Sequence, residues 1–361
     1  HEMNIKDTIL KLGEKESNPS ITISFNTNRT HPDNEQDRVV LKNLLSEAQN
    51  RIVSQFNEVD TKELLEKIST ISDEINIEHG LDSMHIFLSE NTQEIVKTAW
   101  PVNQDAVYIS DRFAMRALID AYSRSEQYMI LLLSQGGVSL FEALNDSIVR
   151  EVENGDFPFS ETLYYNTDDA HASDSKKLDN LVREYMNVVD KALVNVYKTT
   201  DLKVVVICTE DNYSRLMQIC DAPDMYLAYA PIDYNNCLPH DIAKQSWSIV
   251  QEFQSKDKVA LLEEIELGKS AGKVVYDLQE IYQSAIDGRG DLLLVNQDYA
   301  QAVVMTSDRT FELSNNIETS EINGDIVNTI AWEVMKNKGT VVFASSAELE
   351  SNVDIILKTR Y

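Results

Sequence analysis

One stripe constrains this chain more than any other feature. Leu178, Leu181, Val182, Tyr185, Val189, Leu193 and Val196 recur at helical spacing and are followed, after a short polar gap, by a buried strand expected over Lys203–Cys208, with the uninterrupted apolar run Val204-Val205-Val206-Ile207-Cys208. A long amphipathic helix needs a surface on which to bury its stripe. A four-residue run of β-branched side chains with no polar alternation reads as a strand covered on both faces. Helix and strand in this order predict an α/β layer, with the sheet inside and helices outside.

The rest of the chain repeats this theme. Ile21-Thr22-Ile23-Ser24-Phe25 alternates as a strand, and a turn through His31-Pro32-Asp33 leads into a helix whose Leu41, Leu44, Leu45, Ala48, Ile52 and Phe56 share a face. Asp60 and Glu63 are spaced as a capping box before Leu64, Ile68, Ile71 and Ile75. Met84–Leu88 and Ala106–Ile109 read as strands, a short helix follows Asp111, and Tyr128–Ser134 pairs with Val138–Ala143 across Gly136-Gly137 as a hairpin. Beyond the stripe, helices are predicted over Tyr213–Ile219 and His240–Phe253, then two more up to Ile286. Strands follow at Asp291–Val295, Ala302–Met305, Thr340–Ala344 and Asp354–Leu357, with a helix at Ile322–Met335. The turn Gly155-Asp156-Phe157-Pro158 and the polar stretch Gln254–Lys258 read as boundaries. Read from Met3, the expected domains are an N-terminal α/β domain over 3–153, a middle domain over 154–255 and a C-terminal α/β sandwich over 256–361.

Charge and cysteine usage narrow the function classes. The net charge is −28 and none of these three parts is basic. Most nucleic-acid affinity comes from neutralising phosphates, so the balance argues against direct, strong RNA binding. No apolar run reaches membrane-spanning length, and no basic-then-apolar leader is seen. Cys208, Cys220 and Cys237 form no CxxC pair, which fits a reducing, cytoplasmic setting.

Several motif fragments fail on context. Gly268-Lys269-Ser270 resembles the end of a phosphate-binding loop, but Glu263 stands where the first glycine should be and the segment is helical. Gly288-Arg289-Gly290 precedes a strand instead of following one, so it reads as a turn. His31, His79, His85, His171 and His240 show no metal-ligand spacing, and no G-x-S-x-G elbow marks a serine nucleophile. No cofactor and no metal are expected on this basis.

Four stretches taken in order carry a family resemblance: residues 21–52; residues 106–143 with Asp111-Arg112-Phe113 and the hairpin; the middle region with KVVVICTEDNYSRLMQI and AKQSWSIVQEF; and LQEIYQSAIDGRGDLLLV with GTVVFASSAEL and the terminal IILKTRY. Together they resemble the bacterial relatives of the archaeo-eukaryotic peptide-chain release factors and Pelota. The resemblance implies a mixed α/β, three-domain chain with a ribonuclease-H-like middle domain and a ribosomal-protein-type α/β sandwich at the C-terminus. It also implies a ribosome, or a ribosome-bound protein, as partner. The family's chemistry resides in a Gly-Gly-Gln loop before the long helix of the middle domain. Its counterpart here is Tyr164–Ser173, which contains neither glycine nor glutamine. Tyr165, Asn166, Thr167 and Ala170 stand in that loop, as do Asp168, Asp169 and His171, the candidates for any residual acid–base or Mg²⁺ chemistry. In plainer terms the same acids cap the following helix. Gln135-Gly136-Gly137 has similar letters in reverse order and reads as a hairpin turn. Three functions follow as expectations: a non-hydrolytic factor acting in rescue or quality control at ribosomes, a metal-dependent hydrolase or nuclease built on the loop carboxylates, and a plain protein-interaction module.

Overall fold

A computed structural model describes residues 5–134, 137–159, 175–232, 238–315 and 325–361. In chain order the elements begin with α1 (Ile5–Glu14), β1 (Glu16–Asn26), α2 (Glu35–Gln55), α3 (Lys62–Thr70), β2 (Ser83–Leu88), β3 (Gln93–Thr98), β4 (Ala106–Arg112) and α4 (Arg116–Arg124). Next come β5 (Gln127–Ser134), β6 (Gly137–Leu144), β7 (Ser147–Glu151), α5 (Ser175–Thr200), β8 (Val204–Ile207), α6 (Glu210–Ile219), β9 (Tyr226–Ala230) and α7 (Pro239–Ser270). The last part adds β10 (Val274–Val275), α8 (Leu278–Ile286), β11 (Gly290–Asn296), β12 (Val303–Met305), β13 (Phe311–Leu313), α9 (Ile326–Lys336), β14 (Thr340–Ala344) and β15 (Ile355–Thr359).

The mixed α/β class expected from the sequence holds, with three principal sheets and a short β12–β13 ribbon among the described residues. The elements gather into two compact units, and the chain order differs from the expected one. One unit joins His1–Arg124 to Leu262–Tyr361; the other is the continuous segment Ser125–Leu261.

In the discontinuous unit, the first sheet has the order β3-β2-β1-β4, with every neighbouring pair antiparallel. Ile21, Ile23 and Phe25 of β1 join Met84, Ile86 and Leu88 of β2 in one core with Leu41, Leu45 and Ile52 of α2 and Leu64 and Ile68 of α3. The alternation in β1 separates two buried faces, since Ser20, Thr22 and Ser24 opposite this core are as covered as Ile21, Ile23 and Phe25. A second core starts from Phe87 on that sheet and takes in Ile9 and Leu12 of α1, Phe113, Leu118 and Ile119 around α4, and the apolar faces of α8 and α9. Its other wall is the C-terminal sheet, order β10-β15-β11-β14, in which β11 and β14 run parallel and β15 is antiparallel to β11. The expected C-terminal sandwich is thus present, but it shares its core with α1 and α4. Gly13 permits the closest approach: a Cβ there would lie 1.9 Å from the Trp332 indole nitrogen, which donates a hydrogen bond to the Ile9 carbonyl at 2.9 Å.

The continuous unit is built on the sheet β7-β6-β5-β8-β9. β5 is antiparallel to β6 and β6 to β7, whereas β5–β8 and β8–β9 are parallel. Numbered within the unit, this is the order 3-2-1-4-5 with only the second strand reversed, which is the ribonuclease-H-like arrangement. Successive residues of β5 and β8 point to opposite faces. Met129, Leu131, Val204 and Val206 meet Tyr185, Val189 and Leu193 of α5, while Tyr128, Ile130, Val205 and Ile207 meet Ile242, Ala243 and Val250 of α7. Both faces are covered, as the unbroken apolar run of β8 requires.

Both expected boundaries move. The hairpin β5–β6 belongs with β8, to which β5 is hydrogen-bonded in parallel, so Gly155 lies inside the continuous unit. Gln254–Lys258 is not a linker either: α7 passes through it unbroken for 32 residues. Its side chains are polar, but it holds neither glycine nor proline, so nothing in it stops a helix. The capping box at Asp60 is absent too, since α3 begins one residue later with Thr61 at its N-cap and no side-chain cap bond.

Candidate functional site

The release-type site would lie between β7 and α5 in the continuous unit. Phe159 forms an isolated β-bridge with Val138, its amide donating to the Val138 carbonyl at 2.9 Å and the Val138 amide donating back at 3.0 Å. Phe157 is buried, and the Phe159 ring stands edge-on to it with centroids 5.3 Å apart and to Tyr185 at 6.4 Å. This aromatic cluster pins the chain beside the β5–β6 turn just before residue 160. The segment that follows holds Tyr165, Asn166, Thr167, Asp168, Asp169, Ala170 and His171, all outside the described residues, as are Gln135 and Gly136.

The chain is described again from α5. Its first turn carries no acid; Lys176 and Lys177 are exposed there. One turn on, Asp179 lies 3.4 Å from Arg183 and 3.3 Å from Arg215 of α6, and Arg183 also donates to Gln218 at 3.1 Å. Two guanidiniums share one carboxylate, so the described flank of the loop is locally cationic in a chain that is acidic overall. Such a flank attracts an anion but supplies no general base.

Other titratable groups are held in structural roles. Asp190, on the edge of the α5 stripe, is fully buried and accepts the Tyr226 hydroxyl at 2.6 Å and the Asp221 amide at 3.2 Å. Burial pushes the Cys208 thiol up to about 12, so it is no thiolate at neutral pH. His85 is buried between the hydroxyls of Ser24 (2.8 Å from Nδ1) and Ser83 (2.9 Å from Nε2), and burial lowers its pKa to about 4. His31 and His240 sit at the surface beside Glu35 (3.6 Å) and Asp241 (3.3 Å). Among the described residues no group of three His, Cys, Asp or Glu side chains is placed to hold a metal ion.

Sequence reasoning missed the joint around α4. Asn328 of α9 accepts the amides of Met115 and Arg116 through Oδ1 at 2.8 and 2.9 Å, capping α4 from another element. Arg116 pairs with Asp325 at 3.0 Å, donates to the Gln297 carbonyl at 3.3 Å and lies over the Phe343 ring. Its partners are some two hundred residues away, and no local spacing announces them. Asp190 did leave a signal: an acid flanking an apolar stripe needs a donor in the core.

Strand order and direction define the continuous unit as a ribonuclease-H-like α/β unit. Residues 127–289 match the model of bacterial archaeo-eukaryotic release factor family 3, and over that stretch the chain resembles that family as the sequence implied. The match begins at the first residue of β5 and runs through the whole of that sheet. No curated protein sequence matches the chain. Among solved structures, ribosome-bound archaeal Pelota aligns over 75% of this chain and 72% of its own at 15% identity, TM-score 0.41. S. cerevisiae Dom34 aligns over 72% and 74% at 13% identity, TM-score 0.37, and an archaeal translation termination factor over 99% and 97% at 10% identity, TM-score 0.27. At such scores the alignments carry no argument, and the fold rests on the sheet itself.

Proposed function

We propose that this protein is a translation-associated, release-factor-like factor that engages ribosomes or a ribosome-bound protein in rescue or quality control without hydrolysing peptidyl-tRNA. The observation that carries the reading is the coincidence of the family match with the ribonuclease-H-like sheet over the same residues. The non-hydrolytic half rests on the sequence of Tyr164–Ser173, which lacks glycine and glutamine. A backbone that must approach an ester closely needs residues without side chains, and a misplacement of about 1 Å costs on the order of a hundredfold in rate. The charge of −28 opposes contact with phosphate-rich surfaces, so attachment rests on local cationic features such as the Lys176–Arg183 flank, or on a protein contact.

The test has two arms. The protein should co-sediment with stalled ribosomes at low salt and leave them as salt rises, and it should release no peptide from peptidyl-tRNA. Absence from both stalled and empty ribosomes at low salt refutes the association. Release that persists after alanine replaces Asp168, Asp169 and His171 refutes the non-hydrolytic reading and the loop assignment together.

A further inference from the structure

The turn Asn154-Gly155-Asp156-Phe157 lies inside the continuous unit and joins an asparagine directly to a glycine. Asn154, Gly155 and Asp156 are exposed, whereas Phe157 is buried. The Asn154 side chain is held by the backbone that follows it: Oδ1 accepts the amides of Asp156 at 2.8 Å and Phe157 at 2.7 Å. The Asn154 amide donates to the Phe157 carbonyl at 3.0 Å and closes the turn. Two N–H groups aimed at one side-chain atom identify that atom as the oxygen, which leaves Nδ2 outside the turn. Among the described residues, neither Nδ2 nor the Gly155 N–H has a hydrogen-bond partner. The fold does not require the glycine: its φ is not positive, and a Cβ there would meet nothing within 4 Å.

That combination sets up one reaction. A carbonyl oxygen held by two donors is polarised, and the same donors stabilise the negative charge it gathers when Cγ is attacked. The attacking atom is the next backbone nitrogen, which a glycine leaves unshielded. We infer that Asn154 is a self-modification site, at which the fold itself promotes loss of the side-chain amide. The Gly155 nitrogen gives its proton to solvent base and bonds to Cγ; the Cγ–Nδ2 bond breaks, and Nδ2 takes up a proton and departs as ammonia. Water then opens the five-membered imide at either carbonyl, leaving aspartate or its β-linked isomer. Either product adds one negative charge beside Glu153 and Asp156, and the isomer adds a methylene to the main chain. Phe157 and Phe159 hold the chain against Val138 just beyond this turn, so the isomer loosens the anchor that precedes residue 160. The reaction is independent of ribosome association; only its bearing on the release-type segment rests on that reading.

To test it, full-length protein is held at mildly alkaline pH, sampled over days and digested, and the peptide containing Asn154 is followed by mass spectrometry. A synthetic peptide of residues 148–158 in the same buffer gives the rate without the fold. The folded chain should lose the amide at least about threefold faster than the peptide, because its two donors are already in place. Gly155→Ala should slow the loss in the folded chain by at least about tenfold, since a methyl group shields the attacking nitrogen. The open space at that position lets the fold survive the change. In aged protein, amide exchange at Val138 and Phe159 should quicken in step with the β-linked isomer. A folded rate at or below that of the peptide, or one unmoved by Gly155→Ala, would overturn the inference. Unchanged exchange at Val138 and Phe159 would overturn its effect on the anchor.

Discussion

At the scale of single residues, His85 shows how burial turns a titratable group into a pH dependence of stability. Its ring is neutral in the folded chain, because burial holds its pKa near 4, while in the unfolded chain it returns to the ordinary 6.5. As pH falls from about 6.5 towards about 4, the unfolded chain takes up the proton first, so the discontinuous unit loses stability across that window and not above it. By pH 5 the loss should be about 2 kcal/mol relative to pH 7.5. Denaturation followed by Trp100 and Trp332 fluorescence in a Trp247→Phe background isolates this unit. In His85→Gln the slope attributable to this site should vanish, and a slope equal to that of the unsubstituted chain would assign it to other groups.

Among the elements, the docking of α1 rests on Gly13, whose missing Cβ leaves room for Trp332. Gly13→Ala should force the indole aside, strain its bond to the Ile9 carbonyl and cost about 2 kcal/mol. Loss of amide protection confined to α1 and α9 in hydrogen exchange would mark that route; an unchanged melting transition would deny it. None of this could be read in advance, because α1 is only ten residues long and its partner lies at the far end of the chain. What could be read were elements with strong periodicity: α2, α5, β1, β8 and the β5–β6 hairpin fall close to their expected places. Weakly patterned elements escaped. β3 is a half-exposed edge strand with polar residues at Gln93, Glu94 and Lys97, and β9 reads Tyr-Leu-Ala-Tyr-Ala, which suits a helix as well as a strand. Polarity alone made Gln254–Lys258 look like a linker, although helix continuation depends on backbone propensity more than on which side chains face water. The site is a different case: the loop was located by resemblance, and its seven named residues lie outside the described ones.

For the whole molecule, the arrangement of the units predicts how pieces of it behave. The core around Ile9, Leu12, Phe113 and Leu118 is completed by Ile281, Val327, Ile330 and Trp332. A fragment of residues 5–124 should therefore keep the β1–β4 sheet with α2 and α3 yet leave α1 and α4 unprotected in hydrogen exchange. Adding residues 262–361 as a separate chain should restore that protection. Full protection of α1 and α4 in the fragment alone would show that the second core is not needed to hold them.

The same discontinuity sets a clock on biosynthesis. Leu12 leaves the ribosome roughly 320 residues before Trp332, an interval on the order of half a minute at common elongation rates. Through that interval Ile9, Leu12 and Phe113 lack the cover of α8 and α9, while the inserted unit is continuous in sequence and has its own core. A nascent chain of this kind holds open a surface until residues 262–361 emerge to seal it, which makes it a natural client for chaperones that bind apolar segments during elongation.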